Sequence, residues 1–498
     1  MMRRALTTAS PCRDHAAALR HVASGKGEDA KLAVLGPDDS SHLDDCGVYT
    51  RCWMNKYGTV DPSNNIVLRP STTESVSAFL EYANDKGLVV VPQGGNTGLV
   101  GAGVPVSDTS GEVIMSLSRM KGGMHLDEEE AIFQCNAGVT LEQAQVYCAE
   151  KGFVFPVDLG AKGSCMVGGN LNTNAGGIYF NRFGSIRSNL MGLEAVLADG
   201  KILSTMSPLM RKSSLGFDLS GLFVGSEGTL GVVTKVAMKV HRKPTTRDVA
   251  VLSCSDFFKV RELQRRCDIE LGSLVSCVEF MDNSVLKLVE ENLGSSITWS
   301  LSSKYYVLVE TMGFDGVNDS LALAKFLESA LDDELVEDGV LAQDATQIAK
   351  IWAVRESCGV AVNKSLRSWK YDLSLKLSDW EEVSQLVADR VGPAGGKVAL
   401  WGHLGDRNVH LNVVSETERD LTDLLEPFVY EETFKRKGSI SAEHGVGMSK
   451  GAYMSRAAGD DVYKIMKKVK AVFDPNNIMN TGVGKMFTQC EREEIQPK

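Results

Sequence analysis

Val89-Val90-Val91-Pro92-Gln93-Gly94-Gly95-Asn96-Thr97-Gly98-Leu99-Val100-Gly101-Ala102-Gly103 is an apolar run that breaks into a glycine-rich stretch. It reads as a strand feeding a loop. Glycines remove side chains and permit positive φ, so consecutive backbone N–H groups can converge on one anion. A single loop of this kind is equally compatible with an ordinary surface loop. Two more follow, at Gly168-Gly169-Asn170-Leu171-Asn172-Thr173-Asn174-Ala175-Gly176-Gly177 and Gly225-Ser226-Glu227-Gly228-Thr229-Leu230-Gly231. Three of them in succession argue for one long, phosphate-bearing ligand. The pattern argues against a Rossmann dinucleotide site, because that motif opens a helix and Gly101-Ala102-Gly103 runs into the extended Val104-Pro105-Val106.

Working outward, Ile66-Val67-Leu68 predicts a strand and Thr72 to Gly87 a capped helix. Further strands are expected at 114–117, 132–138 and 232–240, and a helix over 141–151. Asp199-Gly200 predicts a type I′ hairpin turn. The change of composition at His241-Arg242-Lys243-Pro244-Thr245-Thr246 suggests a boundary. Beyond it, strands at 249–254, 275–281 and 305–311 with a helix over 321–331 predict an antiparallel sheet with helices on one face. The mixture indicates an α+β fold.

The 498 residues exceed one core and suggest about three domains. Acidic residues outnumber basic ones, 64 to 53, which argues against a nucleic-acid surface. No apolar run is long enough to predict a membrane span. The eleven cysteines are scattered, with no Cys-x-x-Cys pair, and read as reduced thiols. Residues 1–30 carry Arg3, Arg4, Arg13, Arg20 and Lys26 with a single acid before Glu28, as a mitochondrial transit peptide would.

The densest chemistry lies between 355 and 444. In Trp401-Gly402-His403-Leu404-Gly405-Asp406-Arg407-Asn408-Val409-His410, a two-residue turn at Asp406-Arg407 would place His403 opposite His410. With Glu443 from Ser441-Ala442-Glu443-His444-Gly445 they form either a divalent-metal site, zinc first, or a packed cluster without metal. Arg355 and Lys370 are either carboxylate partners or solvated charges.

These residues together resemble the flavin-linked oxidoreductases of the vanillyl-alcohol oxidase type, and within them the mitochondrial branch acting on D-2-hydroxyglutarate. The motifs carrying the resemblance are Gly94-Gly95-Asn96-Thr97-Gly98, Asp158-Leu159-Gly160-Ala161-Lys162-Gly163-Ser164, Gly225-Ser226-Glu227-Gly228-Thr229, Gly402-His403-Leu404-Gly405-Asp406, Ala442-Glu443-His444-Gly445-Val446-Gly447 and Phe473-Asp474-Pro475-Asn476-Asn477-Ile478. The resemblance covers residues 50 to 487, nearly the whole mature chain.

The resemblance implies an FAD-binding domain of two α+β subdomains at 50–243, an antiparallel-sheet cap at 244–435 carrying substrate, and a helical segment at 436–498 completing the site. FAD would be noncovalent, since Asn96 and Thr97 stand where some relatives have the attaching histidine. It would contact Pro92, Gly94, Gly95, Asn96, Thr97, Gly98, Asp158, Leu159, Gly169, Asn170, Thr173, Asn174, Gly177 and Asn480. His403, His410 and Glu443 would hold Zn2+ or another divalent metal, Arg355, Lys370, Asn412 and His444 the substrate, with His444 as general base. The implied reaction is oxidation of D-2-hydroxyglutarate to 2-oxoglutarate, with hydride passing from C2 to flavin N5. D-lactate to pyruvate is the alternative. Electron-transfer flavoprotein would be the acceptor, in the mitochondrial matrix, and a homodimer is possible. The sequence departs from the family pattern at Gly359, where relatives tend to carry a hydroxyl, at Arg407 in place of a turn glycine, and at Asn480-Thr481-Gly482, which lacks a proline.

Overall fold

The computed structural model describes residues 11–36, 48–50, 65–106, 112–294, 297–482 and 486–487. Two units follow one another, and the C-terminal segment returns to the first. The first holds a four-stranded sheet in the order Val34–Leu35, Ile66–Leu68, Glu112–Ser116, Val89–Gln93, and an antiparallel five-stranded sheet in the order His125–Asp127, Ile132–Asn136, Val232–Lys239, Leu190–Val196, Ile202–Ser204. Val89–Gln93 pairs parallel with Glu112–Ser116, an arrangement that needs a crossover and buries both faces. Helix Thr73–Lys86 supplies cover, started by the Thr72 hydroxyl accepting from Ser75 N and ended by Gly87 at φ 65°. Both caps agree with the sequence reading.

Helix Pro11–Gly25 buries Ala16, Leu19 and Ala23 in the same core as Val76 and Phe79. Much of the expected leader is therefore packed structure, tied further by buried Glu28, which accepts from Ser71 and pairs with Arg119 at 3.0 Å. Residues 1–10 of that leader lie outside the described residues, as do Cys52 and the tail from 488. Cys135, Cys148, Cys165, Cys254, Cys267, Cys277 and Cys358 are free and buried, as expected for reduced thiols.

The second unit is a seven-stranded antiparallel sheet in the order Asp338–Leu341, Thr246–Cys254, Tyr305–Gly313, Val275–Asp282, Gly396–His403, Asn408–Ser415, Arg367–Ser374. All of Tyr305–Gly313 is buried, which requires cover on both faces. Helices Phe257–Arg266, Gly316–Asp332 and Leu377–Val391 cover one face, through Leu263, Phe326 and Trp380. Asn283–Leu293 and Ala345–Asn363 cover the other, through Leu286 and Trp352. The expectation of helices on one face is thus corrected: apolar residues at both parities of the central strands demand a second layer. Among the described residues, no helix is long and apolar enough to cross a membrane.

Two turns also depart from expectation. At Asp199-Gly200 only Gly200 takes positive φ, +83°, and Leu197 N donates to Lys201 O, so the connection is longer than a type I′ turn. Strands Gly396–His403 and Asn408–Ser415 pair His403 with Asn408 and Trp401 with His410. The connection is Leu404 to Arg407, with Arg407 at φ 68°, and the two histidines are diagonal neighbours, not opposite ones.

Candidate functional site

The three glycine loops meet. A Cβ on Gly94 would stand 3.3 Å from Gly169 Cα, so the first two loops touch backbone to backbone, and one on Gly95 would stand 2.0 Å from Ser164 O, in the segment that leads into the second. Gly228, at φ +73°, lies against Pro92 and brings in the third. The cleft between them is lined by Pro92, Gly94, Gly95, Asn96, Thr97, Gly98, Gly169, Asn170 and Thr173, and His444 reaches its edge. Other residues expected to touch cofactor support this wall. Asp158 pairs with Lys162 at 3.1 Å, Gly177 packs on Asp158 O with Leu159 beside them in sequence, and Asn174 adjoins Gly225. Asn480 Nδ2 donates to Ala102 O and Glu227 O, so the C-terminal segment closes the loop region.

Register on the large sheet assembles the second half. Glu279 pairs with His403, Trp401 with His410, His410 with Asp372, and Lys370 with Asn412. Side chains alternate along a strand, so Glu279, His403, Trp401, His410, Asp372, Lys370 and Asn412 share one face. Beside the edge strand Arg367–Ser374, Ser439 exchanges two backbone hydrogen bonds with Ser374, each 2.9 Å, which delivers residues 442–447 to that face. Asp372 Oδ2 then accepts from Ala442 N, Glu443 N and His444 N at 3.0, 3.0 and 2.8 Å. Its Oδ1 accepts from Asn408 Nδ2. Burial would raise the Asp372 pKa, but nearby His444 and Lys450 and these donors hold it well below the usual carboxylate range. On the other side, Glu227 accepts from Val446 N and Gly447 N, fastening the same loop to the third glycine loop.

Ligand atoms of Asp372, His410, Glu443 and His444 lie within 4.8 Å of one another. His410 Nε2 is buried with no hydrogen bond among the described residues, and Glu443 Oε1 lies 3.3 Å away. His403 stands one ring further, its centroid 5.5 Å from that of His410, with Nδ1 2.8 Å from Glu279 Oε1. Two of the three expected ligands, His410 and Glu443, thus share the tight group, while His403 flanks it. Imidazole and carboxylate donors around an orphaned nitrogen suit a divalent cation such as zinc. Asp372 Oδ2 is already saturated by backbone donors.

Arg355, expected to meet substrate, is held by Glu279 Oε2 at 2.5 Å and lies 4.7 Å over the Trp401 ring. Its Nε makes no hydrogen bond among the described residues. Lys370 donates to Asn363, and burial lowers its pKa to about 8. Asn412 Nδ2 donates to His410 O at 2.9 Å. His444 lies at the junction of the glycine cleft with a second cavity of about 420 Å³, which Lys370, Tyr371 and Lys450 also line. Burial lowers the His444 pKa against the opposing pull of Asp372.

The model for the FAD binding domain matches residues 65–206, and that for the C-terminal domain of FAD linked oxidases matches 243–483. The mitochondrial D-2-hydroxyglutarate dehydrogenase of Bos taurus is 44% identical over 426 residues, 85% of this chain and 77% of that one. Its counterpart in Danio rerio is 42% identical, over 85% and 78%. This chain belongs to the D-2-hydroxyglutarate dehydrogenase family. Its members are FAD-dependent dehydrogenases, and so is this protein. Among solved structures, p-cresol methylhydroxylase superposes with a TM-score of 0.75 over 96% of this chain and 98% of that one at 15% identity, which establishes the shared fold alone.

Within this family member, Glu279, Asp372, Glu227 and Lys450 are the site residues that sequence reading missed. Asp372 was legible in part, two positions from Lys370 in Lys370-Tyr371-Asp372 and hence on the same face of a strand. Glu227 stood in the quoted Gly225–Thr229 motif without a role assigned to it, and Glu279 and Lys450 had no local signal.

Proposed function

We propose that this protein oxidises D-2-hydroxyglutarate to 2-oxoglutarate, with residues 50–243 and 436–498 holding noncovalent FAD and 244–435 carrying substrate. The observation that carries the reading is the position of His444 between the glycine cleft and the cavity lined by Lys370. When bound, the flavin supplies a two-electron acceptor for the hydrogen leaving C2, and a divalent cation at His403, His410 and Glu443 supplies Lewis-acid polarisation of the hydroxyl. His444 takes the hydroxyl proton at the imidazole nitrogen facing Glu443, 3.7 Å from its Oε1. Asp372, through the three backbone N–H groups it accepts, keeps that ring in place. Lys370 meets carboxylate charge, Asn412 donates its amide, and Arg355 has Nε left for the substrate while Glu279 holds its other edge. The curated relatives' names support D-2-hydroxyglutarate over D-lactate and support a mitochondrial location. The matrix, electron-transfer flavoprotein as acceptor and a homodimer complete the reading.

The test is anaerobic reduction of the purified flavoprotein by D-2-hydroxyglutarate, D-lactate and their L-enantiomers, before and after chelation. Bleaching by D-2-hydroxyglutarate with the highest kcat/KM, lost on chelation and restored by a divalent metal, is expected. A preference for D-lactate overturns the substrate, and chelator-insensitive bleaching overturns the metal. His444→Ala is expected to keep its flavin and lose turnover by about 100-fold or more; near-normal turnover refutes its role.

A further inference from the structure

Trp401 belongs to the sheet row Met281, Trp401, His410, Asp372, in which each residue pairs with the next on the neighbouring strand. Its ring centroid lies 3.9 Å from that of His410, and the Arg355 guanidinium stands 4.7 Å over it. One side chain therefore touches both a residue expected to hold substrate and a residue expected to hold metal. The polar contacts of those two residues leave their angles open. Glu279 holds Arg355 through a single carboxylate oxygen, about which a flat guanidinium can turn. His410 Nε2 makes no hydrogen bond among the described residues, so none at that atom sets the tilt of the imidazole.

The indole is itself held by shape. Its Nε1 is buried and makes no hydrogen bond among the described residues. Helix Ala345–Asn363 passes over it, with Arg355 and Gly359 four residues apart and hence neighbours on one helix face. A Cβ on Gly359 would stand 3.5 Å from Cζ2 of the ring, in ordinary contact, and atoms directed beyond it would compete with the ring for space. Gly359 thus leaves the seat that the indole fills. An aromatic face attracts a cation along its normal and meets a second ring at preferred angles, whereas an aliphatic side chain imposes neither.

We propose that Trp401 is a positioning residue: its ring sets the angles of the Arg355 guanidinium and the His410 imidazole, and the missing side chain at Gly359 makes room for it. The proposal rests on the roles given to Arg355 and His410 above. Its test compares Trp401→Phe, which keeps a flat aromatic face, with Trp401→Leu, which does not, each made also in an Arg355→Gln background. The acid used is whichever of the four tested above reduces wild type best, so a wrong substrate and a wrong role for Trp401 give different results. With divalent metal in excess, Trp401→Leu is expected to raise KM about 10- to 30-fold, the worth of a desolvated cation–aromatic contact, with kcat within a few-fold. Trp401→Phe should stay within about 3-fold of wild type. In the Arg355→Gln background the Leu substitution should cost less than about 3-fold further, because a residue acting through Arg355 then has nothing to position. Oxidised protein without substrate gives the second readout. After dialysis against graded chelator, Trp401→Leu should retain metal about 10-fold more weakly than wild type or Trp401→Phe. Gly359→Leu, which keeps the indole but crowds it, should repeat both losses, and it decides the matter even where Trp401→Leu fails to load flavin. Equal KM losses in the two backgrounds, a Phe variant as impaired as the Leu one, or wild-type KM and metal retention in Gly359→Leu overturns the proposal. A wild type that retains no metal overturns the metal reading and leaves the KM comparison to decide on Trp401.

Discussion

His403 Nδ1 lies 2.8 Å from Glu279 Oε1, and the other oxygen of the same carboxylate grips Arg355 at 2.5 Å. All three side chains are buried. Burial alone would raise the Glu279 pKa; His403 and Arg355 together lower it, so the acid is ionised. Burial alone would lower His403, but Glu279 outweighs it and raises the ring to about 9. With Nδ1 donating to this carboxylate, Nε2 is the nitrogen a cation would take, in exchange for its proton.

Glu279→Gln is accordingly expected to weaken metal retention about 10- to 100-fold, measured as metal per flavin after dialysis against graded chelator. Glu279→Ala also leaves Arg355 buried without its partner and should cost about 3–5 kcal/mol of stability in denaturant titration. Unchanged metal content in the Gln variant would remove Glu279 from the site.

Asp372 is the anchor of the 442–444 turn, through three backbone donors and Asn408. Hydrogen bonds to a charged group contribute about 1.5–3 kcal/mol each, not additively. Asp372→Ala should accelerate hydrogen exchange at residues 442–444 and lower kcat by about 100-fold while the first unit keeps its flavin. Protection at those amides equal to wild type would show that the loop is held otherwise.

Gly95 allows the first glycine loop to pack on the Asp158–Ser164 segment, since a Cβ there would meet Ser164 O at 2.0 Å. Gly95→Ala should push the first glycine loop off this segment and yield protein without flavin, read as absorbance near 450 nm against total protein. Gly160, with nothing within 4 Å of its Cβ position, is the control, and Gly160→Ala should stay within about 0.5 kcal/mol of wild type. Flavin retained in the Gly95 variant would contradict the close contact.

His241, just before the second unit begins, is hydrogen-bonded to Asn189 at 2.9 Å and stacked on Phe183 at 4.5 Å. Burial, then Lys239 and Arg182, lowers its pKa to about 4. The unfolded chain therefore binds this proton more readily than the folded one, so stability is complete above about pH 6.5 and falls as pH drops toward 4. Allowing for a partly exposed ring, the loss is about 2 kcal/mol. His241→Gln should flatten this part of the stability profile, and an unaltered slope would exclude His241 as its source.

Local signals in the sequence were enough for the elements and the chemistry types. Thr72 and Gly87 bound a helix because caps act within one turn. The valine run ending in glycine announced a strand and a closely packed loop because the absence of a Cβ belongs to the residue itself. His403, His410, Glu443 and His444 were legible as residue types in short motifs. What the sequence could not contain was their spacing. One unforeseen pair of loop residues shifted the hairpin register, so His403 faces Asn408 and meets His410 on the diagonal.

The partners that orient the site come from far along the chain. Glu279 is 124 residues from His403, Asp372 is 72 from His444, and Glu227 is 220 from Gly447. Such pairs arise from which strands become neighbours in a sheet and where the chain returns, and that choice is made by burying both faces of the sheet at once. Residue chemistry, helix caps and strand positions were therefore determined by the sequence alone. The choice of which carboxylate answers which imidazole belonged to the tertiary structure, because only packing brings charges from distant segments within hydrogen-bonding range.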